Sequence, residues 1–229
     1  MASWFLHRAA VAAAVLTVGA LAGCGSSAPS SSESAGQVMS ALHASVKTAT
    51  SVHMTGAVTQ GAEKLSLDIS FEGANLYGTI GENGESFVVL ALNGKTYIKL
   101  DAAFLKLSGA PASTCTAICG KYVQLPASDA SQITGQFTLP NMANAMFSSS
   151  VAAKAKKSGD KFTPATVDGQ QVLQFRQGNN ALDVANIGGT MYPVLFIGPD
   201  GDRITFSNWN SVTLPGAPPA SEVVNLSKL

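Results

Sequence analysis

The chain has 229 residues, with 14 Lys+Arg against 14 Asp+Glu, 46% hydrophobic residues and only 12% charged ones. A surface so poor in charge and so evenly balanced offers no basic face to neutralise phosphates, which argues against a nucleic-acid partner. The length suits one domain with a substantial core once a leader is discounted.

The first predicted element is that leader. Residues 1–8 carry one fixed charge, Arg8, and AAVAAAVLTVGALA over 9–22 carries none, the order of regions in a signal peptide. At about 1.5 Å per residue this run is too short for a bilayer core of roughly 30 Å, so a permanent spanning helix is the weaker reading. The run stops at Leu21-Ala22-Gly23-Cys24, which resembles the lipobox of bacterial lipoproteins in all four positions. The resemblance implies a diacylglyceryl group on the Cys24 thiol, a cut between Gly23 and Cys24, and acylation of the new amine. Two or three acyl chains hold a protein stably, since each buried methylene contributes about 0.8 kcal/mol. The implied location is the extracytoplasmic face of the cell membrane, with the membrane itself as partner.

Residues 24–36 read as the lipidated cysteine and a Ser-rich tether, too poor in apolar side chains to fold. Its typical span is roughly 20 Å at about 5–6 Å times the square root of its length. The remaining residues, 37–229, read as a single domain. Losing Arg8 with residues 1–23 leaves 13 Lys+Arg against 14 Asp+Glu.

The spacing of Val38, Leu42 and Val46 predicts a helix over 37–48, with Ser34 as a cap upstream. The period then switches to two. Strands are predicted over 52–60, 64–72, 75–81, 86–93 and 95–100. The second is the clearest: Leu65, Leu67, Ile69 and Phe71 face one way, and Lys64, Ser66, Asp68, Ser70 and Glu72 the other. Asn83-Gly84 and Asn93-Gly94 are tight-turn pairs, so neighbouring strands are antiparallel hairpins.

A loop with Cys115 and Cys119 follows. An extracytoplasmic address makes an intrachain disulfide the leading reading. The mature chain has only His43 and His53 as nitrogen ligands, neither at zinc-like spacing from the pair, and a redox motif usually has two residues between its cysteines. GKYVQL is a short strand. A second helix is predicted over 138–157, with Pro140 in its first turn, Lys154, Lys156 and Lys157 in its last, and Gly159 as its stop. Those lysines read as helix-end charge in preference to a patch for anionic headgroups. KFTPATV, QQVLQFR, ALDVANI, YPVLFIG and RITFSNW then form a second meander around Asp168-Gly169 and Asp200-Gly201.

The helix-sheet-helix-sheet order is joined by Tyr192-Pro193 opening a strand, by Phe206-Ser207 with Trp209-Asn210, and by Ala217-Pro218-Pro219 ahead of Val223-Val224. Together with the VDGQQVLQF hairpin, these features resemble the LppX/LprG-type lipoproteins of actinobacteria, whose fold is similar to the carrier LolA. The resemblance covers most of residues 37–227. It implies an α+β fold in which a curved antiparallel sheet, open like a half barrel, is covered by two or more helices. It also implies a lipid or glycolipid ligand whose acyl chains enter an apolar cavity, lined here by Leu65, Leu67, Ile69 and Phe71. The cysteine pair has no match in the family.

Catalytic signals are absent from the sequence: it has no Gly-x-Ser-x-Gly, no His-Glu-x-x-His and no calcium loop around Asp200. Neither His43 nor His53 shows a nucleophile or carboxylate partner, so both are expected at the rim or surface. The expectation is a non-enzyme without cofactor or metal. Three readings stand, in decreasing order: a lipid-binding or lipid-transferring lipoprotein, an envelope scaffold with a filled core and a protein partner, and a small hydrolase.

Overall fold

The structure is a computed structural model and describes residues 32–60, 63–82, 84–107, 109–135, 138–147, 160–198 and 200–225. It opens with a two-residue strand, β1 (Glu33–Ser34), and the helix α1 (Ala35–Thr48). Ser34 stands before the helix as expected, its hydroxyl donating to Gln37 Oε1 at 2.5 Å. Val38, Leu42 and Val46 are buried along the predicted stripe, with Met39 beside them. The folded body begins earlier than the composition of the tether suggests. Ala35 is fully buried and its N–H donates to the Asp160 carbonyl at 3.3 Å; small side chains here permit close packing, although they read as linker.

The first meander is β2 (Ser51–Gln60), β3 (Glu63–Glu72), β4 (Asn75–Glu82), β5 (Glu85–Leu92) and β6 (Lys95–Lys99), each strand antiparallel to the next. Its predicted turn at Asn93-Gly94 has both residues at positive φ, 52° and 77°.

The stretch expected as a loop holds three short helices: α2 (Ala102–Leu107), α3 (Ala112–Ile118) and, after the strand β7 (Tyr122–Gln124), α4 (Ala127–Thr134). Six to eight residues are too few to display a 3.6-residue period. Such helices depend on caps and tertiary packing. Asp101 supplies one cap, its Oδ1 accepting the Phe104 N–H at 2.8 Å. The next helix, α5 (Leu139–Phe147), occupies the start of the predicted 138–157 segment. Lys154, Lys156 and Lys157 lie outside the described residues.

The second meander is β8 (Lys161–Val167), β9 (Gln170–Gln177), β10 (Asn180–Ile187), β11 (Thr190–Ile197) and β12 (Arg203–Ser207). Its first turn, Asp168-Gly169, has φ of 51° and 80°. In β10 the carboxylate of Asp183, 1% exposed, receives Arg176 from β9 through both guanidinium nitrogens at 2.8 and 3.3 Å. After β12 the tail is tied to the first meander, Val212 N–H donating to Ser51 Oγ at 3.0 Å. It then reaches β13 (Val223–Asn225).

All described strands join one sheet in the order β1-β8-β9-β10-β11-β12-β2-β3-β4-β5-β6-β7-β13. The two meanders meet at a single seam, β12 against β2, and only β13 on β7 is parallel. The sheet is not closed, since β1 and β13 are its two ends.

Two strand-interior glycines mark where the sheet bends. A Cβ at Gly56 would overlap the Arg203 carbonyl oxygen and stand 2.8 Å from Ile204 Cα. One at Gly78 would overlap the Asp68 oxygen and stand 2.6 Å from Ile69 Cα. Both are places where neighbouring backbone comes too close for any side chain. They flank β3, because Gly56 pairs with Leu67 and Gly78 with Ile69. The tight points are thus β2 against β12 at Gly56 and β4 against β3 at Gly78, and α1 and α5 pack on the concave face of the sheet, sharing one core with Ile69, Phe71, Leu173 and Phe206.

Candidate functional site

The register of the sheet aligns a row of side chains across eight strands. Phe175, Leu182, Phe196, Ile204, Gly56, Leu67, Ile80 and Phe87 are successive cross-strand partners, all on the concave face. At about 4.8 Å per strand the row is roughly 34 Å long, measured along the curved sheet. An aromatic ring stands at each end: Phe162 is 5.6 Å from Phe175 and Phe104 of α2 is 5.2 Å from Phe87. No charged or hydrogen-bonding side chain interrupts the band.

Burial differs across neighbouring rows. In the row nearer the helices, Phe206, Met54, Ile69 and Val89 are 0–4% exposed. In the band, Phe175, Leu182, Ile204, Ile80 and Phe87 are 7–9% exposed, and Leu67 and Phe196 are only half-buried. The row beyond runs Val58, Leu65, Glu82, Glu85 and begins the polar rim. The concave face is therefore close-packed at its floor and more open toward one end of the strands. The four residues singled out on β3 form a column down this gradient. Leu65 stands at the rim, Leu67 in the band, Ile69 below it, and Phe71 at the floor with 1% exposure.

The cysteine pair sits elsewhere. Cys115 and Cys119 are disulfide-bonded across the last turn of α3. They belong to a second, smaller core in which Leu105, Ile118 and Val123 pack with Ile98 and Val224. Cys24, the residue on which anchoring rests, lies outside the described residues. Among those described, no helix is long and apolar enough to cross a membrane, and no three His, Cys, Asp or Glu side chains converge.

His53 departs from expectation, because the sheet gives it both partners that the sequence hid. Its Nε2 is 2.8 Å from Asp68 Oδ1 on β3, and its Nδ1 is 3.3 Å from Ser207 Oγ at the end of β12. The order carboxylate, imidazole, hydroxyl is that of a nucleophile relay. The trio lies on the convex face, opposite the core, with His53 28% and Asp68 69% exposed. The contacts act as a cross-strand tie over the seam. His43, also expected at the rim, is half-buried on α1, and its buried Nδ1 has no hydrogen-bond partner among the described residues.

No family model matches the chain, and no curated protein matches it. Among solved structures, LprF from Mycobacterium bovis aligns over 80% of this chain and 96% of its own, with a TM-score of 0.50 and 15% identity. The MucA/MucB complex of Pseudomonas aeruginosa aligns over 82% of this chain and 59% of that one, with 12% identity. Its TM-score of 0.28 is too loose to equate the folds. The large, open, mostly antiparallel sheet over a few helices gives this chain a fold similar to that of LprF.

Proposed function

We propose that the chain is a membrane-anchored, extracytoplasmic lipoprotein that binds lipid acyl chains along the apolar band and transfers them, without making or breaking a covalent bond. The observation that carries the reading is the burial gradient on the concave face. An eight-strand apolar row lies beside a close-packed floor and is covered less tightly than that floor. Burying ten methylenes there would contribute about 8 kcal/mol before ordering costs, so no polar constellation is needed for affinity. The fold shared with LprF fits this reading. The lipobox-like Leu21-Ala22-Gly23-Cys24 supplies the anchor, and about eight residues separate Cys24 from β1.

Two measurements test this reading. Cys24→Ala should release the protein from the detergent phase or leave it unprocessed, because acyl burial is the strong membrane contribution of the mature chain. A mature Cys24→Ala protein that still partitions into detergent would remove the anchor. Leu67→Trp should cut the lipid that co-purifies with the protein while moving the thermal midpoint by a few degrees at most, since a half-buried position has room beside it. Ile69→Trp, placed at a fully buried site, should overpack and cost about 1–3 kcal/mol. Mass spectrometry of the purified protein reads the lipid directly. Wild-type protein with no lipid, together with a Leu67→Trp variant as destabilised as Ile69→Trp, would replace the carrier with a scaffold whose core is filled.

A further inference from the structure

We propose that the outer edge of β8 is a docking site for the chain's own tether: residues 28–32 continue β1 along it and so turn the open end of the band away from the anchoring membrane. The orientation rests on the proposed Cys24 anchor and band; the docking itself does not. Among the described residues, β1 covers β8 only at Lys161 and Phe162, although β8 runs on to Val167. The register set by Glu33 on Phe162 and Ser34 on Lys161 carries Ser32 to Thr163, Ser31 to Pro164, Ser30 to Ala165, Pro29 to Thr166 and Ala28 to Val167.

The backbone polarity of the edge suits this segment. Ala35 N–H donates to the Asp160 carbonyl at 3.3 Å, so alternate residues of β8 from Asp160 onward turn their backbone groups outward. Pro164 offers a carbonyl to the Ser31 N–H, and Thr166 offers an N–H to the Pro29 carbonyl. Neither proline is asked for a donor in these two bonds. An edge carrying Pro164 and Lys161 is blunted against strands arriving from solution. A segment already joined to it in register through β1 pays no association cost.

The direction of β8 gives the consequence. It starts beside the band, where Phe162 meets Phe175, passes the close-packed Leu173 opposite Pro164, and ends at the Asp168-Gly169 turn. A docked tether leaves the body at that floor end. Four residues then separate Ala28 from Cys24, a reach of at most about 14 Å. The rim at Leu65, Glu82 and Glu85 lies at the opposite end of the strands.

The test is disulfide trapping in the mature lipoprotein in detergent micelles. Ser30→Cys with Ala165→Cys, an in-register pair, should close within one chain at least tenfold faster than Ser30→Cys with Val167→Cys, two residues out of register on the same face. The Thr166 amide should exchange with deuterium at least tenfold more slowly than an open-chain amide, and Ser31→Pro should remove most of that protection without touching the folded body. Equal closure rates, cross-links only between two copies, or a Thr166 amide exchanging at the open-chain rate overturns the docking. Each of those results leaves the lipid band, read independently through Leu67→Trp, standing.

Discussion

Gly78→Val is expected to destabilise the protein by at least about 3 kcal/mol, enough to lower its urea midpoint clearly or to prevent folding. The reason is a backbone collision. A Cβ at this position would overlap the Asp68 oxygen and stand 2.6 Å from Ile69 Cα, and neither atom belongs to a side chain that can rotate away. Relief requires β3 and β4 to separate where Ile69, fully buried, holds the core together. Gly169→Ala is the control. Its Cβ would meet nothing within 4 Å, so only the left-handed φ of 80° is at issue, a cost of roughly 1–2 kcal/mol. Equal losses for the two variants would show that the close approach of β4 to β3 is not what Gly78 provides.

Arg176→Leu should cost about 2–3 kcal/mol, and the double variant Arg176→Leu with Asp183→Leu should recover most of it. Asp183 is 1% exposed and Arg176 is 42% exposed, so the pair is buried from the carboxylate side only. Removing the guanidinium strands a buried carboxylate, whereas removing both partners leaves an apolar pair. The solvent-open arginine sets the expected cost at or below the low end for broken buried pairs. A double-mutant cycle from denaturant unfolding reads the coupling. Strict additivity of the two substitutions would show that Asp183 draws its compensation from elsewhere.

Both meanders are legible in the sequence, because alternation over seven or more residues and Asn-Gly or Asp-Gly pairs are local signals. β3 shows this best, with Leu65 to Phe71 on one face and Asp68 and Ser70 on the other. The helices α2 to α4 are hidden because each spans at most eight residues and is held by the packing beneath it, with a capping side chain, Asp101, at α2. The local signals at α2 are faint: an Asp cap at Asp101 and the helix-forming run Ala102-Ala103-Phe104-Leu105.

The site is a different matter. Leu67 can be placed on an apolar face from sequence, but its neighbours Gly56, Ile80, Phe196 and Phe87 follow from register across strands far apart in the chain. The same holds for Asp68, His53 and Ser207, which three strands bring together. Gly56 and Gly78 did carry a signal, since each is a glycine inside a strand pattern, where bends and close approaches occur.

The seam between β12 and β2 has a consequence for how the molecule comes into being. Each meander is built from neighbouring hairpins, so each can pair internally as soon as its own residues are present. The seam joins Met54 to Phe206 and Ser207 to His53, partners about 150 residues apart. Contacts of such separation form late and slow folding, because a long loop must close before they add stability. A chain threaded across a membrane from its amino terminus would offer the bare edge of β2 to solvent until β12 had followed. During that interval the first meander is a half-sheet with an open flank, exposed to pairing with a second copy.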